Sequence, residues 1–179
     1  MARIVITCWG SYGDLNPYLG LALALKARGH APVLAASAHY RSLIEEEGIE
    51  FAGTRPDVDV TDVDLVRRAI DERKGPEVVI RELVAPAVSE AFEDLQRATA
   101  GADLLVSHPL TLAAPVLAQL TGIPWASTVL APLSFFSIYD FPVLPPAPWL
   151  KSVERFGDWP NRIILAFARR MTSGWTDPV

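Results

Sequence analysis

Residues 3–36, RIVITCWGSYGDLNPYLGLALALKARGHAPVLAA, place a glycine-bearing turn and a helical pattern between two apolar runs. Each apolar run is short and continuous, which is typical of a strand buried on both faces of a parallel sheet. Asn16 and Pro17 fit an N-cap and a first helical position, and Gly29 fits the end of the helix. The stretch therefore predicts a β-α-β unit.

The rest of the chain continues this alternation of strands and helices. Strands are predicted at about residues 3–9, 32–36, 49–52, 103–107 and 124–130. Helices are predicted between them, with a long one over residues 76–100 that Pro86 should kink, and a last one from about Asp158. The predicted fold class is α/β, a doubly wound Rossmann-like parallel sheet, in which the strand order 3-2-1-4-5 would make the first and fourth strands neighbours.

Length and composition indicate one sizeable globular domain and exclude some partners. The chain has 179 residues, half of them hydrophobic and 21% charged, with a net charge of −5. Basic residues cluster no more densely than Arg67-Arg68, which argues against a nucleic-acid or anionic membrane surface. Cys8, the single cysteine, lies in the first apolar run and is predicted to be an inert core thiol. Three histidines and one cysteine without zinc-site spacing predict no metal.

Neither a secretory signal nor a membrane span is expected. The N-terminus enters the first strand without a charged region or a cleavage site. The most apolar later stretch, residues 123–136, contains Pro124 and Pro132 and is too short to cross a bilayer. We therefore expect a cytoplasmic protein.

The turn after the first strand lacks the residues of a dinucleotide-binding loop. Only Gly10 and Gly13 are present, and no acid follows the second strand, which ends in Ala36 and Ser37. Asp14 would compete with a phosphate for the amide groups at the start of the helix. Asp14 is then either a carboxylate that satisfies the helix terminus or, because Asn16 offers the cap, a functional group that faces the crevice.

His108 follows the fourth strand, which the predicted order places beside the first. Ligands bind in such sheets outside the carboxyl ends of the strands, so Asp14 and His108 should open into one crevice. A carboxylate beside an imidazole can take a proton from a hydroxyl group. The alternative for His108 is a structural role in its loop, which is also the role predicted for His30 and His39.

Two segments of this sequence resemble a known family. They are residues 10–37, GSYGDLNPYLGLALALKARGHAPVLAAS, and residues 103–137, DLLVSHPLTLAAPVLAQLTGIPWASTVLAPLSFFS. Both are similar to the N-terminal domain of GT-B fold, nucleotide-sugar-dependent glycosyltransferases, nearest to the bacterial enzymes that glycosylate glycopeptides, macrolides, sterols and lipids. The resemblance runs along essentially the whole chain, although residues 54–100 contribute little to it.

The resemblance implies a division of labour between two domains. Residues 1–179 would be the N-terminal acceptor-binding domain, and the C-terminal donor-binding domain is absent from this chain. The reaction would be the inverting transfer of a hexose to a hydroxyl of a hydrophobic small molecule. No cofactor is implied, and the co-substrate would be a UDP- or dTDP-linked sugar bound mainly by the missing domain.

The resemblance also assigns the site residues. Asp14 matches the loop aspartate proposed as general base in glycopeptide-type relatives, whereas many other members have a histidine in this loop and an aspartate after the fourth strand. The pair looks exchanged here, so we predict an Asp14/His108 dyad with Asp14 the better candidate for the base. Gly13 and Asp14 would form the donor-contacting loop.

An acceptor site is predicted from two loops. The loop after the fifth strand carries aromatic rings between prolines, which suits a stiff wall for an apolar molecule, although single rings of this kind often pack into a core instead. The predicted acceptor-binding residues are Gly10, Ser11, Tyr12, Ser134, Phe135, Phe136, Tyr139 and Phe141.

Three interpretations of the chain stay open. It is the N-terminal half of a truncated or cleaved glycosyltransferase, a non-catalytic subunit of a bipartite one, or a nucleotide-binding α/β module. The missing acid after the second strand makes the module the weakest of the three. Under the first two interpretations, the chain alone is predicted to be inactive because the diphosphate site lies elsewhere.

Overall fold

The computed structural model describes residues 1–58, 62–71, 73–131, 137–139, 152 and 157–176. The strands are β1 (Arg3–Thr7), β2 (Ala31–Ala36), β3 (Glu50–Gly53), β4 (Leu104–Ser107) and β5 (Trp125–Ser127). The helices are α1 (Tyr12–Ala27), α2 (Arg41–Glu46), α3 (Val63–Ala69), α4 (Gly75–Glu77), α5 (Val88–Ala98), α6 (Ala113–Thr121) and α7 (Trp159–Thr176). A π-helical segment (Val78–Val84) and a 3-10 turn (Ala85–Ala87) join α4 to α5, and a 3-10 turn (Ala38–Tyr40) precedes α2.

The strands form a parallel sheet in the order β3-β2-β1-β4-β5. The predicted α/β class and strand order are therefore confirmed. Thr7 at the end of β1 pairs with Ala35 on one side and with Ser107 on the other. The loops that follow β1, β2 and β4 consequently leave the sheet side by side at its carboxyl edge.

Both faces of the central strand β1 are buried, as its continuous apolar sequence requires. Ile4 and Ile6 pack on one face against α1, where Leu15 contributes to the same cluster. Val5 points to the other face and packs in the cluster that contains Leu105 and Leu117. Burial of large aliphatic side chains on both faces is worth about 1.5–3 kcal/mol each, which fixes the register of β1.

Helix α1 begins at Tyr12, so the start predicted at Asn16 and Pro17 is wrong. Ser11 is the N-cap, and its Oγ accepts a hydrogen bond from the Gly13 N–H at 3.2 Å. Asp14, three residues later, accepts the Ser11 N–H and completes a capping box. Two satisfied donors at this end favour the earlier start, even though it places Pro17 inside the helix.

The segment between β3 and β4 differs most from its prediction. Helix α3 was not predicted, and the long helix expected over residues 76–100 is divided into α4, the π-helical segment, a 3-10 turn that contains Pro86, and α5. Pro86, which has no N–H to donate, lies in the 3-10 turn just before α5. Asp94 on α5 accepts hydrogen bonds from the Arg55 guanidinium at 2.8 and 2.9 Å, which ties the loop after β3 to this helix.

Cys8, as predicted, is a core thiol, since only 2% of its surface is exposed. Burial raises the pKa of this thiol to about 12, and the charge of Asp14 adds to the effect. The described residues include no helix with the length and apolar character that crossing a bilayer requires.

Candidate active site

A cavity with a volume of about 470 Å³ opens at the carboxyl edge of the sheet. Its floor is made by residues that follow β1 and β2, and its walls come mostly from the segment between β3 and β4. A cavity of this size at the strand ends of an α/β sheet fits a small-molecule site. The lining residues are Trp9, Gly10, Ser11, Tyr12, Asp14, Ser37, Tyr40, Val58, Leu65, Val66, Ala69, Ile70, Val79, Leu83 and Leu110.

Asp14 is the carboxylate of the cavity floor, and it caps a helix as well. Its Oδ2 accepts hydrogen bonds from the Ser11 N–H at 2.8 Å and from the Ser11 Oγ at 3.1 Å. About a third of its side chain, 34%, remains exposed. The two interpretations of Asp14 are therefore compatible, because Asp14 caps α1 through one oxygen and also lines the cavity.

His108 lies next to the second oxygen of that carboxylate. Its Nε2 is 3.7 Å from Asp14 Oδ1, too long for a hydrogen bond, and its side chain is 8% exposed. Nδ1 accepts the Leu110 N–H at 3.3 Å, so we assign the proton of the neutral ring to Nε2, facing Asp14. Burial lowers the pKa of His108, and the charge of Asp14 opposes this only in part.

The walls of the cavity are aliphatic. Their residues were not predicted from the sequence. Leu65 and Ala69 on α3 and Val79 and Leu83 on the π-helical segment line it. In each pair the residues are four apart, a spacing that puts both side chains on one face of a helix. That spacing is the signal that could have identified them, but the polar residues around them obscured the pattern.

Three hydrogen bonds hold the loop after β3 beside the cavity. The Trp9 indole N–H donates to the Pro56 carbonyl at 3.0 Å. Asp57 accepts hydrogen bonds from the Ser37 hydroxyl and, at 3.1 Å, from the Ala38 N–H. These contacts place Val58 in the cavity wall.

The predicted acceptor-binding residues divide into three groups. Gly10, Ser11 and Tyr12 line the cavity, whereas Tyr139 does not and is 79% exposed. Ser134, Phe135, Phe136 and Phe141 lie outside the described residues, so their role stays a prediction. Gly13 of the predicted donor-contacting loop is in the first turn of α1 and does not line the cavity.

The other two histidines, His30 and His39, do not line the cavity. His39 is exposed and meets the rings of Tyr12 and Tyr40 edge-on, at centroid distances of 6.4 and 5.2 Å. His30 precedes β2, away from this edge, and its Nδ1 is buried. Within the part of the chain that the structure describes, no group of three or more potential metal ligands is present.

Comparisons with known proteins find glycosyltransferases among the sequence relatives of this chain. O-mycaminosyltylonolide 6-deoxyallosyltransferase of Streptomyces fradiae is 34% identical over 134 residues, which are 70% of this chain and 30% of that protein. Sterol 3-beta-glucosyltransferase of Glomerella lagenarium is 32% identical over 125 residues, 67% of this chain and 8% of that protein. The chain thus spans less than a third of these relatives. No family model matches it.

Solved structures share the fold. The glycosyltransferase SsfS6 of Streptomyces sp. SF2575 superposes with a TM-score of 0.57 at 23% identity, over 72% of this chain and 39% of that one. The glycosyltransferase SnogD of Streptomyces nogalater gives 0.55 at 22% identity, over 74% of this chain and 35% of that one. At these identities the likeness concerns the fold alone.

Proposed function

We propose that this chain, a glycosyltransferase homologue with the Rossmann-like fold of one half of a GT-B enzyme, binds the acceptor and supplies the general base. The observation that carries the proposal is the position of Asp14. Its carboxylate lies on the floor of an otherwise largely aliphatic cavity, at the end of the central strand. The capping box fixes this carboxylate, and a fixed base is what proton abstraction from a bound hydroxyl requires.

The proposed reaction is a single displacement at the anomeric carbon of a nucleotide-diphosphate sugar. The acceptor oxygen forms the new C–O bond while the bond to the diphosphate breaks, and the diphosphate leaves with the electron pair. Asp14 takes the hydroxyl proton. Attack from the face opposite the leaving group inverts the anomeric centre, so base and diphosphate site lie on opposite sides of the sugar.

Asp14 is a better candidate for the base than His108. Asp14 lines the cavity, whereas His108 does not and is almost fully buried. The Nδ1 of His108 is occupied by the Leu110 N–H, which leaves no free basic nitrogen towards the cavity. We infer that His108, whose Nε2–H faces Asp14, favours the orientation of the base.

The cavity supports a hydrophobic acceptor that carries a hydroxyl group. Its aliphatic walls on α3 and the π-helical segment offer contacts to apolar carbon, and its floor carries the Asp14 carboxylate. An acceptor would therefore bind with its hydroxyl towards Asp14 and its apolar body between the walls. A sterol glucosyltransferase is among the sequence relatives, which agrees with an apolar acceptor.

The donor site is assigned to a partner. The capping box already uses the first amide groups of α1, and Asp14 would repel a diphosphate there. We therefore place the UDP- or dTDP-linked sugar mainly on a C-terminal donor-binding domain or subunit, and we expect residues 1–179 alone to bind acceptor without turning over any sugar nucleotide. Turnover by the pure chain would contradict this division.

The test is Asp14→Asn in the enzyme completed by its donor-binding part. The variant keeps the size of the side chain and an oxygen for the Ser11 hydrogen bonds but removes the base. We expect kcat to fall by roughly 10²–10⁴ with little change in the KM for acceptor. Asp103→Asn is the matched control, because Asp103 also accepts a backbone N–H, from Arg3 at 2.8 Å, at the opposite edge of the sheet. Full kcat in Asp14→Asn would refute the proposed role.

A further inference from the structure

We propose that Tyr40 is a positioning residue for Asp14 and acts through the peptide group between Gly10 and Ser11. The proposal rests on the proposed function of Asp14 as the general base. It adds a residue from a different segment of the chain, the 3-10 turn after β2, to the apparatus that holds this carboxylate.

One planar peptide group connects the two side chains. The Tyr40 hydroxyl donates to the Gly10 carbonyl at 2.9 Å. The N–H of the same peptide group, that of Ser11, donates to Asp14 Oδ2 at 2.8 Å. Because the group is rigid, fixing its carbonyl also fixes the direction of its N–H. A carbonyl that accepts a hydrogen bond also makes the N–H of its own peptide group a stronger donor.

This peptide group needs an external restraint. Gly10 has φ of +138°, a backbone conformation that is accessible to glycine and rarely to other residues. Glycine is also the residue with the fewest conformational restrictions, so nothing in its own side chain keeps the following peptide group in place. The Tyr40 hydroxyl supplies that restraint from the neighbouring loop.

Tyr40 is itself well fixed. Only 4% of its surface is exposed, and its ring meets those of Tyr12 and His39 edge-on, at centroid distances of 5.1 and 5.2 Å. Burial raises the pKa of Tyr40, so its hydroxyl stays protonated and remains a donor at neutral pH. The donor is therefore held in position by packing and kept in the right protonation state by its surroundings.

The test is Tyr40→Phe, alone and combined with Asp14→Asn, in the complete enzyme. Phenylalanine keeps the ring contacts and removes only the hydroxyl group. We expect kcat to fall roughly three- to tenfold, as for the loss of one hydrogen bond, with the KM for acceptor unchanged. In the Asp14→Asn background Tyr40→Phe should change kcat less than twofold, because its effect passes through Asp14. Thr121→Val, which removes a hydroxyl that donates to the Leu117 carbonyl at 2.8 Å, should leave kcat unchanged.

Other outcomes separate this proposal from the proposed function. Because Tyr40 also lines the cavity, direct contact with acceptor would raise KM, and a kcat loss of equal size in both backgrounds would mean a general structural role. Either result, or an unchanged kcat in Tyr40→Phe where Asp14→Asn is impaired, would overturn the positioning role while leaving Asp14 as base. Full kcat in Asp14→Asn would instead overturn the function of Asp14 and, with it, any catalytic role of Tyr40.

A second measurement needs no activity and uses residues 1–179 alone. The Ser11 amide proton, which donates to a carboxylate, should resonate downfield in the NMR spectrum. In Tyr40→Phe it should move upfield as this hydrogen bond weakens, and in Thr121→Val it should not move. An unchanged Ser11 resonance in Tyr40→Phe would overturn the proposed connection whatever the kinetics show.

Discussion

A Cβ atom on Gly10 would lie 2.2 Å from Oδ2 of Asp14. Real Cβ atoms do not approach other heavy atoms this closely, so any side chain at position 10 must displace the carboxylate or the loop. The positive φ of Gly10 would in addition strain any other residue there. The glycine turn after β1 is therefore shaped around Asp14.

Gly10→Ala should impair the enzyme more than it destabilises the chain. We expect kcat to fall at least tenfold because the base moves, and the free energy of unfolding to fall by about 1–3 kcal/mol because of the strained backbone. The measurements are steady-state kinetics of the complete enzyme and urea unfolding of this chain.

Gly20→Ala is the matched control for that substitution. Gly20 lies within α1, and among the described residues no atom beyond its two chain neighbours and the backbone of its own helix is within 4 Å of the added Cβ. Alanine there should stabilise the helix by about 0.5–1 kcal/mol and leave kcat unchanged. If Gly10→Ala behaved like Gly20→Ala, the loop would adapt and Gly10 would not be needed for Asp14.

His108→Ala should lower kcat by a smaller factor than Asp14→Asn. The reason is that His108 orients the base but does not itself take the proton. If the two residues act as one unit, the double variant should be hardly slower than Asp14→Asn alone. Losses that multiply in the double variant would show that the residues act independently, and a larger loss in His108→Ala would make His108 the base.

Stability should decrease when the pH falls below about 6.5, the ordinary pKa of histidine. Burial lowers the pKa of His108 in the folded state, so just below pH 6.5 the unfolded chain binds a proton that the folded chain does not. The free energy of unfolding then falls with falling pH, by at most about 1.4 kcal/mol per pH unit, until the pH reaches the lowered pKa of folded His108.

Urea unfolding at several pH values between 7 and 5 checks this, with two variants for comparison. His108→Gln should remove this part of the pH dependence, and His39→Gln, at an exposed position, should keep it. Asp94 does not interfere, because hydrogen bonds from Arg55 hold its pKa below the usual 3.8, and its contribution is lost only at lower pH. A pH dependence that persists in His108→Gln would assign the effect to another group.

The sheet and the nearness of Asp14 to His108 could be predicted from the sequence because they follow from strand order. Apolar runs such as residues 3–9 mark the strands, and the order 3-2-1-4-5 then brings the ends of β1 and β4 together. The start of α1 was harder to predict from the sequence. Asn16-Pro17 and Ser11 with Asp14 are both reasonable N-termini, and the hydrogen bonds of the capping box decide between them.

The cavity could not be predicted because it depends on packing between distant segments. Leu65 and Leu83 come to line one cavity with Asp14 only when α3 and the π-helical segment fold over the carboxyl edge of the sheet. Tyr40 likewise reaches Gly10 across 30 positions of sequence through a single hydrogen bond. No local pattern encodes such contacts, since propensity and periodicity describe one segment at a time.

The aliphatic wall and the aromatic loop give different expectations for acceptor binding. Leu83→Trp should fill part of the cavity of about 470 Å³ and weaken binding of a sterol or macrolide aglycone at least tenfold. Arg81→Trp is the matched control, because residue 81 is exposed on the same segment and does not line the cavity. Phe135→Ala combined with Phe136→Ala tests the predicted aromatic wall in the same assay.

Equilibrium binding to the isolated chain is the measurement, with circular dichroism to establish that each variant is folded. Weakening by Leu83→Trp alone would place the acceptor against α3 and the π-helical segment, and weakening by both would mean that it spans the cavity and the loop. Unchanged affinity in Leu83→Trp would exclude this cavity as the acceptor site.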